Sequence, residues 1–402
     1  MAFTVVREPL VLAFQEKSAF KETYGGGTDT VVLEGQFLRP EGSPCKTALV
    51  FMHPTGTMNT LPLPNALARA GVPVLCCGSR YPHNDTALIM EKVLIDLGAY
   101  VRYARERLGF EKVVLAGWSG GGSLSLYYQS QAERPTVEAT PAGDSVDLRG
   151  AKLLPADGVM QLAAHVSRAT TLTEWLDPSV LDETDPSQRD PELDLYGVSG
   201  PKPPYSAAFL ERYREAQRAR SQRITQRVWA RLEALRAAGR PYDEEAFVVH
   251  GTMADPRWLD PTVDPNDRTP GQCYMGDPRI VNMMPAGLAR YSSLRAWLSQ
   301  WSYETSLADG PGSAAAISVP ALVLENSADD ACTPSHGQRI WDALAHVPRH
   351  RVVIRGATHY YLGQRSCLAE AAAEVTSWLA AEGFLPPEPF WEKIDSDQLP
   401  FS

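Results

Sequence analysis

Val113-Val114-Leu115-Ala116-Gly117-Trp118-Ser119-Gly120-Gly121 joins an apolar run to a G-x-S-x-G pattern. A helix-like segment, Ser123 to Gln131, follows at once. A strand that turns sharply into a helix can hold one serine hydroxyl exposed at its tip. Such a turn is crowded, so positions 117 and 120 must be small, and both are glycine. The pattern alone is weak. With glycine and serine each near ~7% of residues, its three fixed positions recur by chance about 0.1 times in a chain of 402 residues. The plain alternative is a glycine-rich turn carrying a surface serine. The rest of the chain must therefore supply an oxyanion donor, a base and an acid.

Upstream, residues 1–45 read as entry strands and turns, with Thr30 to Leu38 partly alternating. Thr47 to Met52 is continuously apolar, as a strand buried on both faces should be, and it ends at His53-Pro54-Thr55-Gly56. A short helix over Pro64 to Ala70 leads to a second buried run, Val72 to Cys77. The loop Arg80 to Thr86 precedes an amphipathic pattern from Ala87 to Arg107. Strands thus alternate with helices, which is the grammar of a doubly wound, mostly parallel sheet. Ligands of such sheets bind at the carboxyl ends of the strands, where Thr55 and Ser119 both fall.

Downstream, a polar loop (Arg134 to Arg149) is followed by a strand, Gly158 to Ala164, ending at His165. The grammar then stops until Val319 to Glu325 (strand), Ser335 to Ala345 (helix), Arg351 to Arg355 (strand) and Cys367 to Leu379 (helix). The expected organisation is a core in two parts, residues 1–165 and 311–402, with a mainly helical cap inserted over 166–310. The cap holds a long helix at 207–238 and a helical patch at roughly 285–302. Eight arginines stud the long helix. They suit either an anionic substrate or, the more ordinary reading, a solvated face paired with Glu211, Glu215 and Glu233. Tyr213, Ala216, Ile224, Val228, Leu232 and Leu235 form its apolar stripe.

A serine hydroxyl is a poor nucleophile without a base. His359, in the loop after the last strand, is the candidate. A carboxylate must then fix its tautomer, and Asp329 or Asp330 lies in the loop after the preceding strand. The oxyanion needs two N–H donors: the Gly120 amide and, from the loop after Met52, the Thr55 amide, since Pro54 has none. Trp118 and Tyr360 flank these groups in sequence, His53 opens the loop after Met52, and His165 ends a strand where it faces either the pocket or the packing; these four are the candidates to line a substrate site.

With nucleophile, acid and histidine in this chain order, the sequence resembles the α/β-hydrolase family over roughly residues 30–165 and 315–385. The resemblance implies an eight-stranded sheet, a Ser-His-Asp triad and water as final acceptor. The family's acid commonly precedes a proline by four residues, which favours Asp330 with Pro334 and leaves Asp329 as second choice. His53-Pro54-Thr55-Gly56 is similar to the family's His-Gly oxyanion loop but carries proline where glycine is usual. Enzymes of this kind are commonly homodimers.

Composition narrows the rest. Hydrophobic residues make up 44% and charged residues 21%, and the net charge of −10 argues against nucleic acid or an anionic membrane surface as partner. No apolar run of 18 residues suggests a membrane span. Arg7 and Glu8 interrupt any secretory h-region, and six scattered cysteines form no C-x-x-C pair, which together fit a cytoplasmic protein. No metal or cofactor motif is found, so no cofactor is implied. The expected function is hydrolysis of a carboxylic ester, thioester or lactone of an apolar or aromatic small molecule. Carbon–carbon bond hydrolysis of a diketone and a non-catalytic small-ligand binder are the rivals.

Overall fold

Two long strands, β1 (Val5–Gln15) and β2 (Thr30–Pro40), open the chain and pair antiparallel with each other. Their residues alternate between cover and solvent, as an edge of a sheet allows. The interior strands differ. β3 (Thr47–Met52), β4 (Val74–Cys77), β5 (Lys112–Ser119) and β6 (Gly158–Ala164) are buried almost throughout. The computed structural model describes residues 2–386, so residues 387–402 of the expected second core part lie outside the described residues.

Helices cover both faces of these strands, and successive side chains explain why. In β3, Ala48, Val50 and Met52 join α2 (Met90–Glu106) and α3 (Gly120–Glu133) in one apolar cluster. Leu49 and Phe51 join α1 (Pro62–Arg69) and the Arg365–Ala381 helix in another. The period of two sends neighbours to opposite faces, so a strand covered on both sides must be apolar without a break. Each fully buried Leu or Val there contributes about 1.5–3 kcal/mol.

Between β6 and the next strand of the sheet lie α4 (Arg168–Trp175), the 31-residue α5 (Ala207–Ala237), and a small two-stranded antiparallel sheet of β7 (Ala246–Val248) and β8 (Tyr291–Ser293). β9 (Ala321–Asn326) and β10 (Arg349–Ile354) then complete the sheet. Its order is β1-β2-β4-β3-β5-β6-β9-β10, with β2 antiparallel to β4 and the later pairs parallel. The order reverses at β3, which pairs with both β4 and β5. The carboxyl ends of β3 and β5 therefore flank a switch point, the usual ligand crevice of such sheets.

Two expectations need correction. The helix expected over 285–302 begins only at Leu294. Pro285 and Gly287 open a turn, and Tyr291–Ser293 pair with Ala246–Val248 as a strand before a π-helical turn, Trp297–Trp301. On α5, the expected pairs with Glu211, Glu215 and Glu233 do not form among the described residues. The arginines reach outward instead: Arg214 to Asp255 at 2.8 Å, Arg220 to Glu183 at 2.7 Å, Arg212 to Glu192 at 2.7 Å. The stripe of Tyr213, Ile224, Val228, Leu232 and Leu235 is buried as expected.

Candidate active site

β5 ends at Ser119, and α3 begins at the next residue. Ser119 has φ 54° and ψ −121°, a backbone conformation that L-residues rarely adopt. Such strain costs on the order of 1–3 kcal/mol and persists only where the surroundings enforce it. Here the first twelve residues of α3 are all buried, anchoring the far side of the turn. A Cβ at Gly117 would lie 2.5 Å from the Gly121 carbonyl oxygen, and one at Gly120 would lie 2.7 Å from His53 Nε2. Backbone contact requires glycine at 117, and at 120 any Cβ would have to displace the His53 ring. The serine thus stands at the head of a helix whose first amides have no intrahelical acceptor.

His359 follows β10 in a loop tied back to the strand end before it. Ala328 N donates to Ala357 O at 2.9 Å, and Asn326 Nδ2 to Thr358 O at 3.0 Å. The imidazole is 4% exposed, and its Nδ1 lies 2.7 Å from Asp329 Oδ2. Asp329, the second choice for the acid, therefore takes the place expected of Asp330. The reason is local. The amides of Ala331 and Cys332 donate to Asp329 Oδ1 at 2.8 and 2.9 Å, turning that carboxylate inward. Asp330 is one residue on, and its carbonyl is held the other way by Trp258 Nε1 at 2.7 Å. Burial, with the Asp329 carboxylate beside it, pushes the Asp330 carboxyl up to about 6.

Cys332 is a site residue that nothing in the sequence sets apart from the other five cysteines. Its thiol stands near the Ser119 hydroxyl. Donor atoms of Cys332, Asp329 and His359 lie within 4.8 Å of one another, so the elbow serine and the His359–Asp329 pair belong to one cluster. Three such ligands could meet a metal ion. Their chemistry favours hydrogen bonding instead: both Asp329 oxygens are already engaged, and burial holds the Cys332 thiol well above its ordinary range, away from the thiolate a metal requires.

The β3 loop departs from expectation as well. The amides of Thr55 and Gly56 both donate to His53 Nδ1, at 3.2 and 3.1 Å. The Thr55 amide, expected as an oxyanion donor, is thus turned onto its neighbour's ring. Pro54 accounts for this, since it offers no N–H and bends the chain so that the next two amides converge. Burial lowers His53 to about 3, with Arg168 and His359 acting in the same direction, so the ring is neutral. His165 Nε2 is 3.5 Å from the Cβ position of Gly120, and its Nδ1 is sealed off without a partner. Burial holds His165 well below its ordinary value, helped by His336 and Arg168.

Aromatic rings surround the histidine. Trp118 lies with its centroid 4.6 Å from that of His359 and 5.0 Å from that of Tyr360, and Tyr274 approaches His359 at 6.2 Å. Burial pushes Tyr360 up to about 12, so it stays a neutral phenol. The segment between α5 and β9 also braces the acid loop. Asn266 Nδ2 donates to Asp329 O at 2.7 Å, and Arg257 Nη1 to Thr333 Oγ1 at 2.8 Å. These braces cross more than sixty residues of chain, so no local spacing reveals them.

No protein-family model and no curated protein sequence matches the chain. Among solved structures it is similar to brefeldin A esterase, described as a bacterial homologue of human hormone-sensitive lipase, with 17% identity, 94% of this chain and 76% of that one covered, and a TM-score of 0.43. Est1E from Butyrivibrio proteoclasticus is 14% identical over 88% of this chain and 95% of that one, with a TM-score of 0.44. A thermostable esterase from Pseudomonas putida ECU1011 is 13% identical over 95% and 84%, with a TM-score of 0.46. Likeness at this level carries no reaction across. The sheet speaks for itself: its strand order, its antiparallel leading strands and a serine elbow between β5 and α3 give the chain an α/β-hydrolase fold.

Proposed function

We propose that the protein is a serine hydrolase that cleaves a carboxylic ester of an apolar or aromatic small molecule through an acyl-enzyme on Ser119. The observation that carries this reading is the 2.7 Å bond from His359 Nδ1 to Asp329 Oδ2, in one cluster with Cys332, which stands near a serine on a strained elbow. Asp329 keeps the proton on Nδ1, which leaves Nε2 as the base. Ser119 Oγ gives its proton to His359 as it adds to the carbonyl carbon. The tetrahedral oxyanion leans on the Gly120 amide, and His359 returns the proton to the departing alcohol. Water then repeats the sequence and frees the acid.

Trp118, Tyr360 and Tyr274 support an apolar or aromatic acyl or alcohol group, because they offer flat, neutral surfaces beside His359. In this reading residues 166–310 act as the cap, since Tyr274 reaches the histidine from that segment. A thioester or lactone would meet the same groups, and a panel of ketonic substrates separates carbon–carbon hydrolysis from esterolysis.

The test is covalent. Fluorophosphonate should add once to the intact protein, at Ser119, and Ser119→Ala should abolish both the adduct and about 10⁴–10⁶-fold of the ester turnover. No adduct on the wild-type protein would reduce it to a small-ligand binder.

A further inference from the structure

We propose that His53 is a catalytic residue: its Nε2–H is the second oxyanion donor, standing beside the Gly120 amide where a backbone N–H of the β3 loop was expected. The proposal deepens the serine-hydrolase reading and rests on it.

The tautomer follows from who can donate. Backbone amides only donate, and those of Thr55 and Gly56 converge on His53 Nδ1 at 3.2 and 3.1 Å. The Thr55 hydroxyl lies 3.4 Å from the same atom. Nδ1 must therefore present its lone pair. A neutral imidazole has one N–H, and here it can only be on Nε2. Burial keeps the ring neutral far below pH 7. A neutral imidazole N–H can polarise a carbonyl without giving up its proton.

The position follows from Gly120. Of the ring atoms of His53, Nε2 comes nearest to a Cβ built there, at 2.7 Å, with Cδ2 at 3.2 Å. The N–H edge thus faces the residue that supplies the first oxyanion donor. Nε2 has no hydrogen-bond partner among the described residues, nor is it one of the polar atoms sealed inside without one. An accessible, unpaired donor beside a helix N-terminus is what a developing oxyanion requires. His165 approaches the same glycine but lacks the fixing contacts: its Nδ1 has no partner, so nothing sets which nitrogen carries the proton.

The loop therefore does two jobs with three residues. Thr55 and Gly56 spend their amides on orienting the ring, and the ring delivers the donor. Proline at 54 fits this arrangement, because it forces both following amides onto the imidazole.

The experiment uses the full chain with p-nitrophenyl butyrate as substrate and a pair of ligands, an aryl trifluoromethyl ketone and its unfluorinated methyl ketone. The first forms an oxyanion adduct with the serine, and the second binds without one. His53→Ala should lower kcat by about 10²–10³-fold with KM within about threefold, and should weaken the trifluoromethyl ketone by a similar factor but not the methyl ketone. His53→Gln, whose amide retains an N–H, should recover at least about tenfold of the loss. A second measurement needs no variant. In the wild-type protein labelled with ¹⁵N-histidine, the His53 proton should sit on Nε2 and move downfield when the trifluoromethyl ketone adds.

Equal losses in His53→Ala and His53→Gln, equal weakening of both ketones, or a proton found on Nδ1 would each overturn the assignment while leaving Ser119 labelling intact. A wild-type protein that forms no Ser119 adduct would overturn the hydrolase reading and the donor assignment together.

Discussion

The core and the 166–310 segment differ in how much of their interior is charged. In the core, the interior strands such as β3 bury side chains that are almost wholly apolar, and buried charge is gathered mainly in one cluster of Arg80, Asp96, Glu16 and Glu22. The segment buries charge. Arg220, 0% exposed, gives hydrogen bonds to Glu183 and to the carbonyls of Asp177, His250 and Gly251. Arg257 binds Asp255 and Glu174, and Arg268 ties Val263, Asp264 and Arg257 through their carbonyls. Long loops without a ladder leave carbonyls to satisfy, and a planar five-donor group satisfies several at once. Apolar packing carries no titrating group, whereas a charge network depends on every partner being present. The interior strands of the core should therefore answer to volume, and the segment more to charge.

The sharpest division concerns two adjacent carboxylates at the boundary. Asp329→Asn should lower kcat about 10⁴-fold with little change in stability, whereas Asp330→Asn should stay within about threefold of wild type, both read by steady-state ester hydrolysis. The reverse ranking would return the acid to Asp330. Next in size is a break in the segment's charge network. Arg220→Met strands Glu183 and the His250 carbonyl and takes one donor from the carbonyls of Asp177 and Gly251, which should cost about 3–5 kcal/mol in denaturant unfolding. Fluorophosphonate labelling of Ser119 at 25 °C should survive. A neutral Arg220→Met would mean that the apolar cluster around Trp297 and Trp301 holds the segment unaided.

The smallest effect lies where the two regions touch. Glu91 of α2 is fully buried, bonded to Tyr127 of α3 at 3.3 Å and to Ser299 of the π-helical turn at 2.8 Å. Burial raises its carboxyl to about 7. The native protein thus keeps a proton that the unfolded chain has already lost above its ordinary value. Stability from this group is full below about pH 4.5, declines as pH rises toward 7, and is level above it. Glu91→Gln should remove that decline and be the more stable form at pH 8 by up to about 3 kcal/mol. Parallel pH–stability curves for the two proteins would show that Glu91 is ionised in the fold.

How much of this the sequence disclosed depends on the region. β3 and β9 were legible because strands covered on both faces must be apolar without interruption, and Gly117 and Gly120 because a crowded turn excludes a Cβ. The chain order of Ser119, the acid and His359 pointed to loops of which the fold brings the last two into contact. What failed was direction within a loop. Asp329 and Asp330 are chemically alike, and only the amides of Ala331 and Cys332 decide which one faces the histidine. Thr55 was misplaced because its amide serves a side chain two residues back. Cys332 carried no signal, since its meaning lies in its nearness to Ser119, more than two hundred residues away. The partners of the α5 arginines were hidden for the same reason.

Asn266 and Trp258 grip the carbonyls of Asp329 and Asp330 from the segment's side. In evolutionary terms the segment is therefore no interchangeable cartridge. Remodelling of residues 257–274 therefore reaches the loop whose carboxylate holds His359 Nδ1, so neither stretch changes alone. Compensation belongs in the stretch 326–334, where the two demands meet.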